Sequence, residues 1–251
     1  MTGHVIVTEA DGIQTIRMNR PDKKNALTLA MYEAMAVALE GANASDAVHC
    51  VLIAGVPGAF SAGNDLADFR DSAQGSGGLG SALRFLSALV RNGKPLVAAV
   101  GGVAVGVGTT MLFHCDYVVA GTDARLSTPF VGLGLVPEAA SSLLAPLLMG
   151  QRRAFELLVM GRPLDAARAK EFGIANAVVA PQDVEVEALK AAREIAALPP
   201  GAVALSRGLM RGVAAPMLAR IDEEARMLGE RLHSPEAKAA FEAFFARRRA
   251  T

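Results

Sequence analysis

Cysteine is scarce in this chain, tryptophan is absent, and neither sign of charge is in excess. The two thiols, Cys50 and Cys115, stand in the apolar runs VHCVLIAG and MLFHCDYVVA. They are too few for a disulfide framework, and no CxxC or His/Cys cluster offers metal-ligand spacing. Buried free thiols in a reducing compartment are expected. Lys and Arg together number 25, as do Asp and Glu, so the formal net charge is zero. That balance excludes the basic footprint of a nucleic-acid binder, and a neutral surface favours self-association. No apolar run reaches the roughly 20 residues that cross a bilayer. The opening MTGHVIVTEADG lacks the basic-then-apolar layout of a secretory leader, and the closing RRRAT is not a peroxisomal address of the S-K-L type. A soluble cytoplasmic protein without membrane or nucleic-acid partners is the expectation.

What is present is apolar material. Hydrophobic residues make up 52% of 251 and charged residues 20%, enough for one large domain, with or without a helical appendage. Residues 4–9 and 13–19 alternate around Ala10-Asp11-Gly12, a hairpin signal. Thr28 is placed to cap a helix whose apolar positions Met31, Met35, Ala38 and Leu39 keep helical spacing. HCVLIAG and PLVAAV read as buried strands, DYVVAG and ARLST as two shorter ones. Buried strands alternating with helices indicate an α/β architecture with parallel strands. From residue 139 helices are expected at 139–149, 151–160, 165–172, 183–197, 201–212, 216–232 and 234–247. Leu198-Pro199-Pro200-Gly201 suggests a boundary, giving an α/β core over 1–197 and a helical region over 198–251.

Three segments are candidates for chemistry. Gly75–Gly80 matches G-x-G-x-x-G in form, but it follows a polar run rather than a strand and lacks the later acidic residue, so a glycine-rich loop is the better reading. His114, in an apolar helix beside Cys115, reads as a core histidine. The turns AFSAGND (59–65) and AVGVGTT (104–110) each follow a strand. Two backbone N–H groups converging from them on one oxygen would make an oxyanion hole; ordinary close packing at glycine is the other reading. Glu138, in LVPEAASS, is the sole carboxylate between Asp123 and Glu156. Burial there would raise its pKa, a helix N-terminus would lower it, and the pattern leaves the balance open.

Taken in order, NRPDKKNAL (19–27), AFSAGNDLADF (59–69), KPLVAAVGGVAVGVG (94–108), CDYVVAGTDARLSTPFVGLGLVPE (115–138) and FFARRRA (244–250) resemble the crotonase, or enoyl-CoA hydratase/isomerase, superfamily. The resemblance implies a spiral of ββα units with C-terminal helices that drive trimerisation, and an acyl-CoA thioester as partner. It also implies a thioester oxygen held between the N–H groups of Asn64 and Val107. Ala62, Asp65 and Leu66 would line the same substrate site, and Lys23, with Lys24, would approach the CoA phosphates. No metal or redox cofactor is implied, coenzyme A being part of the substrate.

The departures narrow the reaction. Hydratases of the family carry two glutamates, and Thr110 and Phe130 stand at those positions here. Neither can supply the acid and base that adding water requires. SAGNDLADF, TPFVGLG and PEAASS instead look like the peroxisomal type of Δ3,Δ2-enoyl-CoA isomerase, whose single catalytic base matches Glu138. An isomerase of fatty-acid metabolism, working as a homotrimer or dimer of trimers, is therefore expected, with Thr110 dispensable. Another CoA-thioester reaction of the superfamily, such as hydration or ring isomerisation, or a catalytically weak acyl-CoA binder, are the alternatives. The helical tail, with Met227, Leu228, Leu232, Phe241, Phe244 and Phe245, is the expected trimer surface.

Overall fold

The computed structural model describes residues 3–65 and 80–249. Leu66 and all but the last residue of the glycine-rich loop at 70–80 lie outside the described residues, as do the side chains of Phe244 and Phe245.

Two sheets are built by one repeating step. β1 (Val5–Ala10) and β2 (Ile13–Met18) form the expected antiparallel hairpin, turning through Asp11 and Gly12 at positive φ. β3 (Cys50–Ala54), β5 (Leu96–Val100), β7 (Tyr117–Gly121) and β10 (Ala177–Val179) extend it by parallel pairing into a six-stranded sheet of order β1-β2-β3-β5-β7-β10. Each of β3, β5 and β7 is followed within a few residues by a short strand of a second sheet: β4 (Ala59–Ser61), β6 (Val103–Val105) and β8 (Arg125–Ser127). The second sheet has the order β4-β6-β8-β9, closed by β9 (Leu164–Asp165) running antiparallel. The successive strand pairs stack like turns of a spiral. Gly102 allows one such corner: it sits at φ +64, and a Cβ there would stand 1.9 Å from the Gly58 carbonyl oxygen.

Helices cover both faces of the large sheet, which is why β3 and β5 are apolar at every position. On one face Val51, Ile53, Ala98 and Val100 pack with α1 (Leu29–Ala44) and α2 (Gly80–Arg91). On the other, Cys50, Leu52, Val97 and Val119 meet Val184, Ala188 and Ala192 of α7 (Val184–Ala196). Thr28 caps α1 as expected, its side chain accepting the Met31 N–H at 3.2 Å. Both thiols are unpaired, and burial pushes each up to about 12.

The remaining helices are α3 (Val107–Thr110), α4 (Ser141–Met149), α5 (Gln151–Leu158), α6 (Ala166–Glu171), α8 (Pro200–Arg211), α9 (Ala215–Leu232) and α10 (Pro235–Arg249). Two expectations need correction. The helix expected from residue 139 begins at Ser141, because Ala139 and Ala140 are left-handed at φ 63 and 54. Of the tail stripe, Leu228 and Leu232 are turned inward into the same core as the sheet and Phe241 packs against it, while Met227 is 38% exposed. The exposed apolar face lies instead on α8 and just beyond it, at Leu205, Leu209, Met210 and Val213. No helix among the described residues is long and apolar enough to cross a membrane.

Candidate active site

The parallel pairing of β4 with β6 decides where the site forms. Because the two strands lie side by side and point the same way, the chain leaving each one emerges at the same edge. Residues 62–64 and 106–107 are therefore neighbours, and a Cβ on Gly63 would stand 2.8 Å from the Val105 carbonyl oxygen. Gly63, at φ +86, is what lets the two loops touch.

The turn around 20–27 braces the first loop. Asn25 Nδ2 donates to the Ala59 and Phe60 carbonyls at 2.9 and 3.1 Å, and Ser61 Oγ donates back to the Asn25 carbonyl at 2.9 Å. Leu27 N–H reaches the Gly63 carbonyl at 2.7 Å, and Asp65 N–H reaches the Leu27 carbonyl at 2.9 Å. These bonds leave the Asn64 N–H on the other side of the strand-like bridge. Neither it nor the Val107 N–H, at the start of α3, has an acceptor among the described residues. The Asn64 side chain is held by the Tyr32 hydroxyl, which donates to its Oδ1.

Glu138 approaches from the following segment and is 8% exposed. Its Oε1 accepts the hydroxyl of Thr110, at the end of α3, so the carboxyl and the α3 terminus belong to one cluster. Burial raises its pKa to about 8, against the lowering effect of the Thr110 hydrogen bond and with a further rise from the charge on Glu224. The balance between burial and the helix N-terminus is thereby decided for burial, since α4 starts only at Ser141. Tyr32 faces the same cluster: burial first, and then the Glu138 charge, hold its phenol well above its ordinary value.

Phe130, 7% exposed, lies against the second loop, its Cε1 3.9 Å from where a Gly106 Cβ would be. Thr110 and Phe130 thus border the cluster, and neither carries a carboxylate into it. Asp65 is in an ion pair with Arg20 at 2.6 Å. Ala62 donates its N–H to the Lys24 carbonyl at 2.8 Å, which sets the exposed Lys23–Lys24 pair beside the first loop. His114, a buried residue as expected, is 2.8 Å through Nε2 from the Ala139 carbonyl. Tyr32 and Glu224 are the site neighbours that sequence reasoning did not find, and the bond from Thr110 to Glu138 was not foreseen either. Glu224 left a signal: it occupies the apolar spacing 217, 221, 224, 228, 232 of α9.

An α/β spiral that brings two backbone N–H groups together beside a buried carboxyl is the layout of the crotonase superfamily. The family model described as enoyl-CoA hydratase/isomerase matches residues 8–251, and the chain belongs to that family. It is 36% identical over 228 residues to enoyl-CoA delta isomerase 2 of Rattus norvegicus, covering 88% of this chain. This chain spans only 57% of that relative's length. It is 30% identical to a probable enoyl-CoA hydratase of Rhizobium meliloti, over all of this chain and 98% of the relative. A solved enoyl-CoA hydratase/isomerase from Pseudoalteromonas atlantica superposes with a TM-score of 0.92 at 41% identity, covering 97% of both chains.

Proposed function

We propose that the protein is a Δ3,Δ2-enoyl-CoA isomerase of fatty-acid metabolism, moving a 3,4 double bond of an acyl-CoA to the 2,3 position. The observation that carries this reading is the buried Glu138 carboxyl bonded to Thr110, with Thr110 and the buried Phe130, at the two places the resemblance gives to the hydratase glutamates, carrying no carboxylate. Glu138 takes the C2 proton, which the neighbouring alkene and thioester make acidic. The resulting dienolate places its charge on the thioester oxygen, between the Asn64 and Val107 N–H groups. Fixed donors of this kind contribute about 2.7–4 kcal/mol each to the transition state. Protonated Glu138 then returns the proton to C4 on the same face. A pKa of about 8 suits a group that must both take and give a proton near neutrality.

The same reading places CoA along Ala62, Asp65 and Leu66, with Lys23 and Lys24 at the phosphate end. It includes assembly as a trimer or dimer of trimers in the cytoplasm. Leu209 and Met210, 88% and 87% exposed on α8, support self-association through that helix.

The test is a side-by-side assay of the purified protein on a 3-enoyl-CoA and a 2-enoyl-CoA. Fast conversion of the first with little hydration of the second supports the isomerase. Efficient hydration returns the chain to the hydratases, and turnover of neither leaves an acyl-CoA binder.

A further inference from the structure

Glu224 lies on α9, 4% exposed, and its carboxylate is bonded to the segment that carries Glu138. Oε2 accepts the Ala140 N–H at 2.7 Å, and Oε1 accepts the Ser142 N–H at 3.0 Å and the Ser142 hydroxyl at 2.5 Å. Arg220 Nη1 in turn donates to the Ser142 hydroxyl at 3.0 Å. Burial pushes the Glu224 pKa up, and the bonds donated to its carboxylate from Ser142 and Ala140 work against that by favouring the ionised form. Between Glu138 and these donors stand Ala139 and Ala140, both at positive φ. Two successive residues with side chains persist there only where their surroundings over-determine them.

We infer that Glu224 is a positioning residue for the reaction: from α9 it clamps the Ala139–Ala140 turn, which directs the Glu138 carboxyl, and it holds a second negative charge behind that carboxyl. The inference rests on Glu138 being the acid–base group. Other groups facing the pair are Tyr32 from α1, Thr110 from α3, His114 from the segment after it, and Arg220 and Glu223 from α9 itself. Burial pulls His114 down to about 4, so its ring is neutral and braces the Ala139 carbonyl without adding charge. Arg220 is shared with Glu223 at 3.0 Å. On the neighbouring helices, Arg84 of α2 is paired with Glu33 and Glu40, and Glu236 of α10 with Arg231. Burial is the main reason Glu138 resists ionisation, and Glu224 is the nearby charge that adds to it.

The experiment is the pH dependence of kcat and KM for a 3-enoyl-CoA in the unaltered protein and four variants. Glu224→Gln keeps the shape, removes the charge and turns an amide towards a backbone donor. It is expected to lower kcat about tenfold with KM little changed, and to move the rising limb of the profile to lower pH by about one unit. Ser142→Ala, which leaves the packing of α9 intact, is expected to give a smaller loss in kcat. In a Glu138→Gln background, Glu224→Gln should add nothing, because it acts through Glu138. Wild-type kcat and an unmoved limb in Glu224→Gln overturn the inference; if that variant does not fold, an unchanged kcat in Ser142→Ala does so. Full activity in Glu138→Gln alone overturns the base assignment first, and the clamp with it.

Discussion

Thr110 donates its hydroxyl hydrogen bond to Glu138 Oε1 in a cluster where neither side chain is more than 8% exposed. Thr110, which the resemblance sets at a hydratase glutamate position, is therefore a partner of Glu138. The sequence-based expectation was that Thr110 is dispensable, and this contact argues for the opposite outcome. A hydrogen bond to a charged group contributes roughly 1.5–3 kcal/mol, and here it favours the ionised carboxylate. Thr110→Val should push Glu138 further up, move the rising limb of kcat/KM to higher pH and cost about tenfold in isomerisation near neutrality. A pH–rate profile superimposable on the wild type would contradict the contact.

Stability should show the cost of keeping a carboxyl buried. Glu138 titrates at about 8 in the folded chain against its ordinary 4.5. Between those values the unfolded chain releases the proton first, so the group works against folding increasingly as pH rises, and by a constant amount above the folded value. Glu138→Gln removes that opposition. Its gain in unfolding free energy should be on the order of 3 kcal/mol near pH 7, at about 1.4 kcal/mol per pH unit. The gain should vanish in acid below the unfolded value. Urea midpoints measured in acid and in mild alkali check both the size and the direction; equal midpoints in alkali would contradict the burial.

Much of the frame was legible in the sequence because it rests on local pattern. β3 and β5 declare themselves as unbroken apolar runs, and the Thr28 cap and the periodicity of α1 are one-turn signals. The short strands β4, β6 and β9 span two or three residues, too few for alternation to register. The second sheet was therefore missed as a sheet, although its loops were singled out. The false start of α4 has a different cause: Ala139 and Ala140 are good helix formers, held left-handed by Glu224 and His114 from distant positions. Glu138 was legible because an isolated carboxylate in small apolar residues stands out, whereas Glu224 sits in the charged run IDEEAR. Its place in the apolar spacing 217, 221, 224, 228, 232 is the one local signal that separates it from Asp222 and Glu223.

The exposed face of α8 makes an oligomeric prediction. Leu209→Glu combined with Met210→Glu places charge on the two most exposed large apolar side chains among the described residues. The assembly should dissociate while the circular dichroism of the subunit is retained. Light scattering decides it. A wild-type protein that already has the mass of one chain, or an unchanged assembly in the double variant, would remove α8 as the contact.

The measurement that bears most directly on the central claim is turnover and binding by Glu138→Gln. Glutamine keeps the shape and still accepts the Thr110 hydrogen bond, but it cannot take the C2 proton. Isomerisation of a 3-enoyl-CoA should fall by about 10²–10⁴-fold, the range of a lost general base, while acyl-CoA affinity stays within about twofold of wild type. An active Glu138→Gln variant would contradict the account.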